Sequence, residues 1–344
     1  MKDNESMKKR ILTGDRPTGK LHLGHYVGSL KNRIRLQEEY DCFFIVADLH
    51  TLTTAPEKTG ELKKNIRDLV LDYLSVGIDP KKATIYLQSQ IPEVCELAII
   101  FGNLVSVPRL ERMPTLKDVM RDAHIQIPSY GLLGYPVLQA ADILMVKADL
   151  VPVGRDQESH IEITREIAGR FNNTYEEVFP LPVALVPKDI GTLPGTDGTA
   201  KMSKSAGNVI NLSDDKETVK EKVMAMYTDP KRVHGDEPGK VEGNPVFVYL
   251  DAFIKESESQ RVKESKLEEY KKRYREGKVK DVEVKEFLVN VLEEFLSPIR
   301  EKRAEFEKQP DLVEKILKEG TEKARAEAQE TLDDVRRVMK IGLS

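Results

Sequence analysis

Three short apolar runs, Arg10–Thr13, Cys42–Val46 and Ala83–Leu87, are separated by helix-length stretches. Each is too short for a helix and rich in β-branched, aromatic or other apolar side chains, as strands are. Between them, Gly24–Glu39 carries Tyr26, Leu30, Ile34 and Leu36 at near-helical spacing, and Gly60–Ser75 reads as an amphipathic helix that stops before Gly77. Cys42–Val46 is apolar throughout, which suits a strand covered on both faces. This β-α-β-α-β order leaves few architectures open. The strands must be parallel, the crossovers right-handed, and helices must lie on the sheet faces. In such sheets, ligands collect at the carboxyl ends of the strands, near the switch point in strand order.

The pattern continues beyond Leu87. Pro92–Val107 and Met113–Ile127 read as an inserted helical region. Tyr135–Lys147 is a helix with Pro136 near its start, where proline is tolerated. Leu150–Val153 is a short strand, Gln157–Phe171 a helix and Val183–Val186 the last strand. Gly191–Ala200, rich in Gly, Thr and Pro, reads as a mobile loop. From Ser213 the pattern is almost wholly helical, opening on the cap Ser213–Glu217 and interrupted at Gly235–Pro245. The expected organisation is an extension at 1–9, a Rossmann-type α/β domain at 10–205 and an all-helical domain at 206–344. The α/β domain holds an insertion at 92–134 and a loop at 191–205; the last helix is expected to pack back on that domain.

Composition sets bounds on partners. At 344 residues a main domain with a smaller second one is expected. The net charge of −4 excludes a chain that attracts nucleic acid as a whole, so any such contact needs a local basic patch. Charged residues make up 33% and crowd the region after Lys216, as in Lys271–Arg275. Solvated helix faces laced with ion pairs and a nucleic-acid footprint both fit this run. The two cysteines, Cys42 and Cys95, have no metal-ligand spacing and form no disulfide framework. No apolar run approaches the roughly 18–20 residues needed to span a bilayer. The first ten residues lack the apolar stretch of a signal peptide, and Met7 offers an alternative start. A cytoplasmic protein is the expectation.

Four segments carry chemistry. Thr13–His25 follows a strand and opens a helix, where a phosphate-binding turn belongs; Gly14, Gly19 and Gly24 let the backbone approach a ligand. His22 and His25 could ligate a metal, but no further ligand lies near them in sequence, and donation to phosphate oxygens fits better. The spacing is not that of a P-loop. Lys201-Met202-Ser203-Lys204-Ser205 supplies two ammonium groups after the Gly/Pro-rich loop, suited to a pyrophosphate leaving group or to an ordinary basic surface. Tyr135, Gln139 and Asp142 share one helix face. Asp142 lies within Ala-Ala-Asp-Ile-Leu, so its carboxylate is expected to be partly buried and to need a partner: a backbone N–H, a lysine or a ligand donor. Val151–His160 joins a strand to a helix. There Asp156 is either a helix cap or a ligand contact, and Gln157 a polar reader of a substrate.

In this order, Pro17–His25 and Lys201–Ser205 resemble the HIGH and KMSKS signatures of class I aminoacyl-tRNA synthetases. All four segments resemble the bacterial type of tryptophanyl-tRNA synthetases from about Arg10 to Gly342. Gly28, Asp48-Leu-His50, Leu110–Met113, Thr164–Glu166 and Tyr227–Pro230 match as well. The resemblance implies tryptophan activation with ATP and Mg²⁺, the metal held mainly by the nucleotide, then transfer to the terminal adenosine 2′-OH of tRNA(Trp). It implies that Asp142 accepts from the indole N–H and that Tyr135 and Gln157 hold the α-ammonium, with Leu12, His50, Gln139 and Val153 completing the pocket. Gly24, His25 and Met202 would pack near the adenosine and Asp156 would reach the ribose. Thr18, Lys201 and Lys204 would engage the phosphates and Arg16 the reacting centre, with Pro17, Gly154 and Ser203 also on the ATP side. Lys201, Lys204, Thr18, His25 and Arg16 would be the catalytic set.

The resemblance further implies a homodimer with the insertion near Leu110–Met113 at its interface, and a C-terminal domain that reads the anticodon. Two departures stand out. Val119 occupies a place where relatives often carry a second lysine after the one matching Lys117, which makes Arg121 the candidate substitute. The four cysteines of an iron–sulfur subgroup are missing, so no cluster is expected. The rival readings are a tyrosyl-tRNA synthetase, a smaller nucleotidyltransferase and a catalytically silent RNA-binding paralogue. Leu12, where a tyrosine would stand, speaks against the first, the long helical C-terminal region against the second, and intact His25, Asp142, Gln157 and Lys204 against the third.

Overall fold

The structure is a computed structural model that describes residues 8–154, 157–186, 193–198, 202–204, 206–229, 232, 234, 237–256 and 259–342. Five parallel strands form one sheet in the order β3-β2-β1-β4-β5: β1 (Arg10–Asp15), β2 (Asp41–Val46), β3 (Ala83–Leu87), β4 (Leu150–Pro152) and β5 (Val183–Leu185). The register runs from Arg10 opposite Asp41 to Asp15 opposite Val46. The order reverses between β1 and β4, which pair at Ile11 and Leu150, so a crevice opens at their carboxyl ends.

Alternation along the strands feeds two cores. Ile11, Cys42, Phe44 and Val46 point to one face and pack with helices from the C-terminal half. Leu12, Phe43, Ile45 and Tyr86 point to the other, against the helices Glu93–Gly102, Tyr130–Met145 and Glu158–Thr174. Helices on both faces explain why the β2 run is apolar throughout.

The chain's last long helix, Leu312–Met339, covers the sheet edge at β3. At Gly320 a Cβ would fall 1.9 Å from the Ile85 carbonyl oxygen, so only glycine permits this approach. The next residue, Thr321, accepts a hydrogen bond from the Leu87 N–H at 3.2 Å, pairing an edge donor that would otherwise be open to another strand. The ion pairs Arg325–Glu93 and Arg336–Glu96 fasten the same helix to the region after β3.

Several helix boundaries differ from the sequence reading. The helix expected at Tyr135–Lys147 spans Tyr130–Met145, because Ser129 caps it by accepting from the Leu132 N–H. Pro136 therefore lies inside the helix rather than near its start. The stretch Gly24–Glu39 is not one regular helix: Leu23–His25 is a short α-turn, Tyr26–Leu30 a π-turn and Lys31–Glu39 an α-helix. Single π-turns often mark functional sites. In the insertion, the expected pair of helices becomes Glu93–Gly102, Val107–Glu111 and Pro114–Asp122. Among the described residues, no helix is long and apolar enough to cross a membrane.

Candidate active site

A cavity of about 630 Å³ opens at the carboxyl ends of β1, β2 and β4. It collects all the residues assigned to an amino-acid pocket: Leu12, His50, Tyr135, Gln139, Asp142, Val153 and Gln157. Arg16 and Gly154 from the nucleotide set line it too. The helical periodicity of Tyr135, Gln139 and Asp142 brings them to one wall, while Ala141 and Met145 on another face are buried in the core.

Asp142 is 2% exposed. His50 Nε2 lies 2.9 Å from its Oδ2, and the Gln88 amide donates to both of its oxygens at 3.0 and 2.9 Å. Burial raises the carboxyl pKa, and the His50 and Gln88 contacts oppose that rise. For His50 to donate, its proton must sit on Nε2. Gln88 is itself held: its Oε1 accepts from the Leu49 N–H at 3.1 Å, which turns its NH₂ toward Asp142. Sequence reading missed Gln88. The available signal was its position, immediately past the carboxyl end of β3, where ligand-facing residues gather. Across the cavity, the Tyr135 hydroxyl meets His160 Nε2 at 3.2 Å.

The nucleotide-type residues form a second cluster beside this cavity. His22 caps the helix start, its Nδ1 accepting from the Gly24 N–H at 3.1 Å, while His25 Nδ1 accepts from the His22 N–H at 3.2 Å. With both Nδ1 atoms occupied as acceptors, each neutral ring carries its proton on Nε2. Gly24 is required here, since a Cβ would lie 2.9 Å from His22 Nδ1 and 3.1 Å from the Met202 sulfur. The chain following Lys204 runs alongside the turn: Leu23 N–H donates to Ile210 O, and Leu212 N–H to Leu21 O, both at 2.9 Å. Lys204 reaches back to the turn, its Nζ donating to Gly19 O at 2.9 Å, with Thr18 Oγ1 at 3.4 Å. Burial lowers the Lys204 pKa, against the pull of Asp15 and Asp72. Pro17 is buried, Thr18 exposed, and Ser203 N–H donates to Asn208 Oδ1 at 2.7 Å. Asp156, Lys201 and Ser205, and residues 191, 192, 199 and 200 of the loop 191–200, lie outside the described residues.

A third group was not expected from sequence. Asp15, at the end of β1, accepts from Arg33 Nη1 at 2.7 Å and from the Tyr73 hydroxyl at 2.6 Å, and Arg33 Nη2 donates to Gly14 O at 3.1 Å. Burial would raise the Asp15 pKa, but Arg33, His25 and Tyr73 together bring it down to about 2. Asp15 and Arg33 both line the cavity. The clue in the sequence was a charged residue three places after Leu30 on an otherwise apolar helix face. Arg121, the candidate substitute for a missing lysine, is paired with Asp118 at 2.8 Å and Asp122 at 3.2 Å and does not line the cavity, whereas Val119 does.

Comparison with known proteins identifies this arrangement. Residues 4–297 match the family described as tRNA synthetases class I (W and Y). The tryptophan–tRNA ligase of Treponema pallidum is 58% identical over 337 residues, covering 97% of each chain. That of Chlamydia caviae is 52% identical over 340 residues, covering 97% of this chain and 96% of the relative. Among solved structures, the tryptophanyl-tRNA synthetase of Campylobacter jejuni complexed with ADP and tryptophan superimposes with a TM-score of 0.84 at 34% identity, covering 96% of this chain and 100% of that one. None of these relatives supports the tyrosine alternative. An acceptor-lined cavity at the switch point, two signature segments meeting beside it and full-length relatives of one activity lead to the same conclusion: the chain belongs to the class I tRNA synthetases, among the tryptophan–tRNA ligases.

Proposed function

We propose that the cavity takes L-tryptophan, with the indole N–H donating to Asp142. The observation that carries this reading is the convergence of His50 and Gln88 on Asp142, which holds a buried carboxylate as an acceptor in the wall of the cavity. An indole N–H only donates, so it matches such a site. Tyr135 and Gln157 hold the α-ammonium, and Leu12, Gln139 and Val153 enclose the ring. ATP lies across the second cluster. Gly24 and Met202 contact the adenosine, Asp156 the ribose, and the Nε2 protons of His22 and His25 face phosphate oxygens. Thr18, Lys201 and Lys204 stabilise the triphosphate, and Arg16 lies between the two substrates. The donor-rich chemistry of this turn fits a polyphosphate. Mg²⁺ would enter with the nucleotide, neutralising charge on the β- and γ-phosphates.

The tryptophan carboxylate is ionised at neutral pH and attacks the α-phosphorus, and pyrophosphate leaves. The protein supplies no base; it aligns the reactants and stabilises phosphate charge. The adenylate then passes its acyl group to the 2′-OH of the terminal adenosine of tRNA(Trp), with AMP leaving. Residues 10–205 carry this chemistry, and the helical region 206–344 reads the anticodon, whose unstacked bases are the accessible part of an RNA loop. The enzyme works as a cytoplasmic homodimer without an iron–sulfur cluster. Exposed Ile99, Val107, Ile127 and Tyr130 support an interface built on the insertion 92–134. Tryptophan-dependent ATP–pyrophosphate exchange, run beside tyrosine with Mg²⁺ and no tRNA, tests the reading. Exchange with tryptophan alone is expected; exchange with tyrosine alone would reassign the pocket.

A further inference from the structure

The nucleotide turn is held from outside the active site. Leu21, inside the turn, donates its N–H to Asp72 Oδ2 at 2.7 Å. Asp72 lies on the helix Leu62–Val76 and is 1% exposed. Its other oxygen receives Arg303 Nη1, from the helix Asp281–Glu307 in the C-terminal half. Arg303 is 5% exposed, and its guanidinium also donates to Asp68 Oδ1 at 2.6 Å and Glu307 Oε1 at 2.8 Å. One turn earlier on the same helix, Arg300 donates to the Asp214 carbonyl at 3.3 Å. The Asp214 carboxylate accepts from the Asn211 N–H at 2.8 Å, and Asn211 forms a bridge with His22. One helix of the C-terminal half therefore reaches the first signature segment twice, at Leu21 through Asp72 and at His22 through Asp214 and Asn211, which follows the second segment.

We propose that Asp72 and Arg303 are positioning residues for the nucleotide site, through which the helix Asp281–Glu307 sets the ATP-binding turn. Both residues are buried and neither lines the cavity, so they act on the turn rather than on a ligand. Their leverage comes from the turn itself. Gly19 has φ +105°, a region few side chains adopt, and Gly24 has no side chain to pack, so the backbone between them needs external anchors. Leu21 has one on each side: its N–H donates to Asp72, and its carbonyl accepts from the Leu212 N–H. A carboxylate with one oxygen on an amide and the other on a guanidinium N–H is fixed in orientation as well as place. Shifting Arg303 shifts the acceptor that fixes Leu21, and with it the histidines that follow. The helix also donates from Lys285 to the Met224 and Met226 carbonyls at 2.8 Å, which ties it to the end of the helix Lys216–Met224.

This inference rests on the reading that the turn binds ATP, and the experiment separates the two. The full chain carrying Asp72→Asn, Arg303→Met, Arg303→Lys or, as reference, His25→Ala is assayed by tryptophan-dependent ATP–pyrophosphate exchange. Tryptophan affinity is followed by the ligand's own fluorescence, since the chain has no tryptophan. Asp72→Asn and Arg303→Met are expected to raise the KM for ATP at least about fivefold while tryptophan affinity stays within about twofold. Arg303→Lys, which keeps a charge but not the fork, should fall between them and wild type. If Arg303→Met does not fold, the isosteric Asp72→Asn decides alone. A folded variant with a lowered Tm and an unchanged KM for ATP would reduce the pair to helix glue and overturn the proposal. If His25→Ala impairs ATP use and the Arg303 and Asp72 variants do not, only the inference fails. If His25→Ala changes nothing, the reading of the turn fails and the inference with it.

Discussion

The ammonium of Lys204 lies 2.9 Å from the carbonyl oxygen of Gly19, joining two segments 185 residues apart in the chain. Met202 meets Gly24 in the same place. A lysine anchored on a backbone carbonyl can transfer its donors to a phosphate once ATP occupies the turn. Lys204→Ala is therefore expected to lower kcat for adenylate formation by about two to three orders of magnitude, as loss of a phosphate clamp does. Tryptophan binding, measured by ligand fluorescence, should stay within about twofold. A large loss of tryptophan affinity would contradict the role.

Gln88 donates to both oxygens of Asp142 and does not itself line the cavity. Replacing it with leucine removes two of the three contacts on a buried carboxylate. The expected loss is about 1–3 kcal/mol in kcat/KM for tryptophan, or roughly five- to 150-fold. The KM for ATP should not move, and an equal loss on both substrates would point to general misfolding of the cavity instead.

Asp15 gives a pH signature. Its folded pKa, near 2, lies below the ordinary carboxylate value of 3.8, so its stabilising contribution is fully present above about pH 4 and is lost as pH falls toward 2. With its side chain 21% exposed, the contribution is on the order of 2 kcal/mol. Asp15→Asn should be less stable than wild type at pH 7 in urea unfolding, with the gap narrowing below pH 4. A gap that widens on acidification would show that Arg33 does not hold the carboxylate.

The basic run at Lys271–Arg275 is largely neutralised by its neighbours. Lys271 pairs with Asp251 at 2.7 Å and Glu268 at 3.0 Å, and Arg275 with Glu242 at 2.7 Å. Such a surface attracts phosphate weakly. Replacing Lys271 and Arg275 with alanine should leave tRNA affinity and its salt dependence nearly unchanged; a slope reduced by about two would instead mark two phosphate contacts.

All five strands were legible because each is a short apolar run closed by a turn, and the two-sided packing shows directly in the unbroken apolar sequence of Cys42–Val46. The cavity residues on Tyr130–Met145 were legible for a similar reason, since helical periodicity alone places Tyr135, Gln139 and Asp142 together. The start of that helix was not, because Gly131, Gly134 and Pro136 weaken its propensity and a single serine cap outweighs them. Gln88 and Arg33 were missed for a different reason. Their roles are set by partners, Asp142 and Asp15, that lie 54 and 18 residues away. Local spacing flags a polar residue in an apolar setting but does not name what satisfies it.

Under the proposed function, Asp142 reads the indole N–H of tryptophan. The most direct test needs no mutation: compare kcat/KM for tryptophan with that for 3-benzothienylalanine, in which sulfur replaces the N–H. Leaving a buried acceptor unpaired should cost at least about 2 kcal/mol, so tryptophan is expected to be favoured by about thirtyfold or more. Near-equal values would contradict the account and remove Asp142 from substrate recognition.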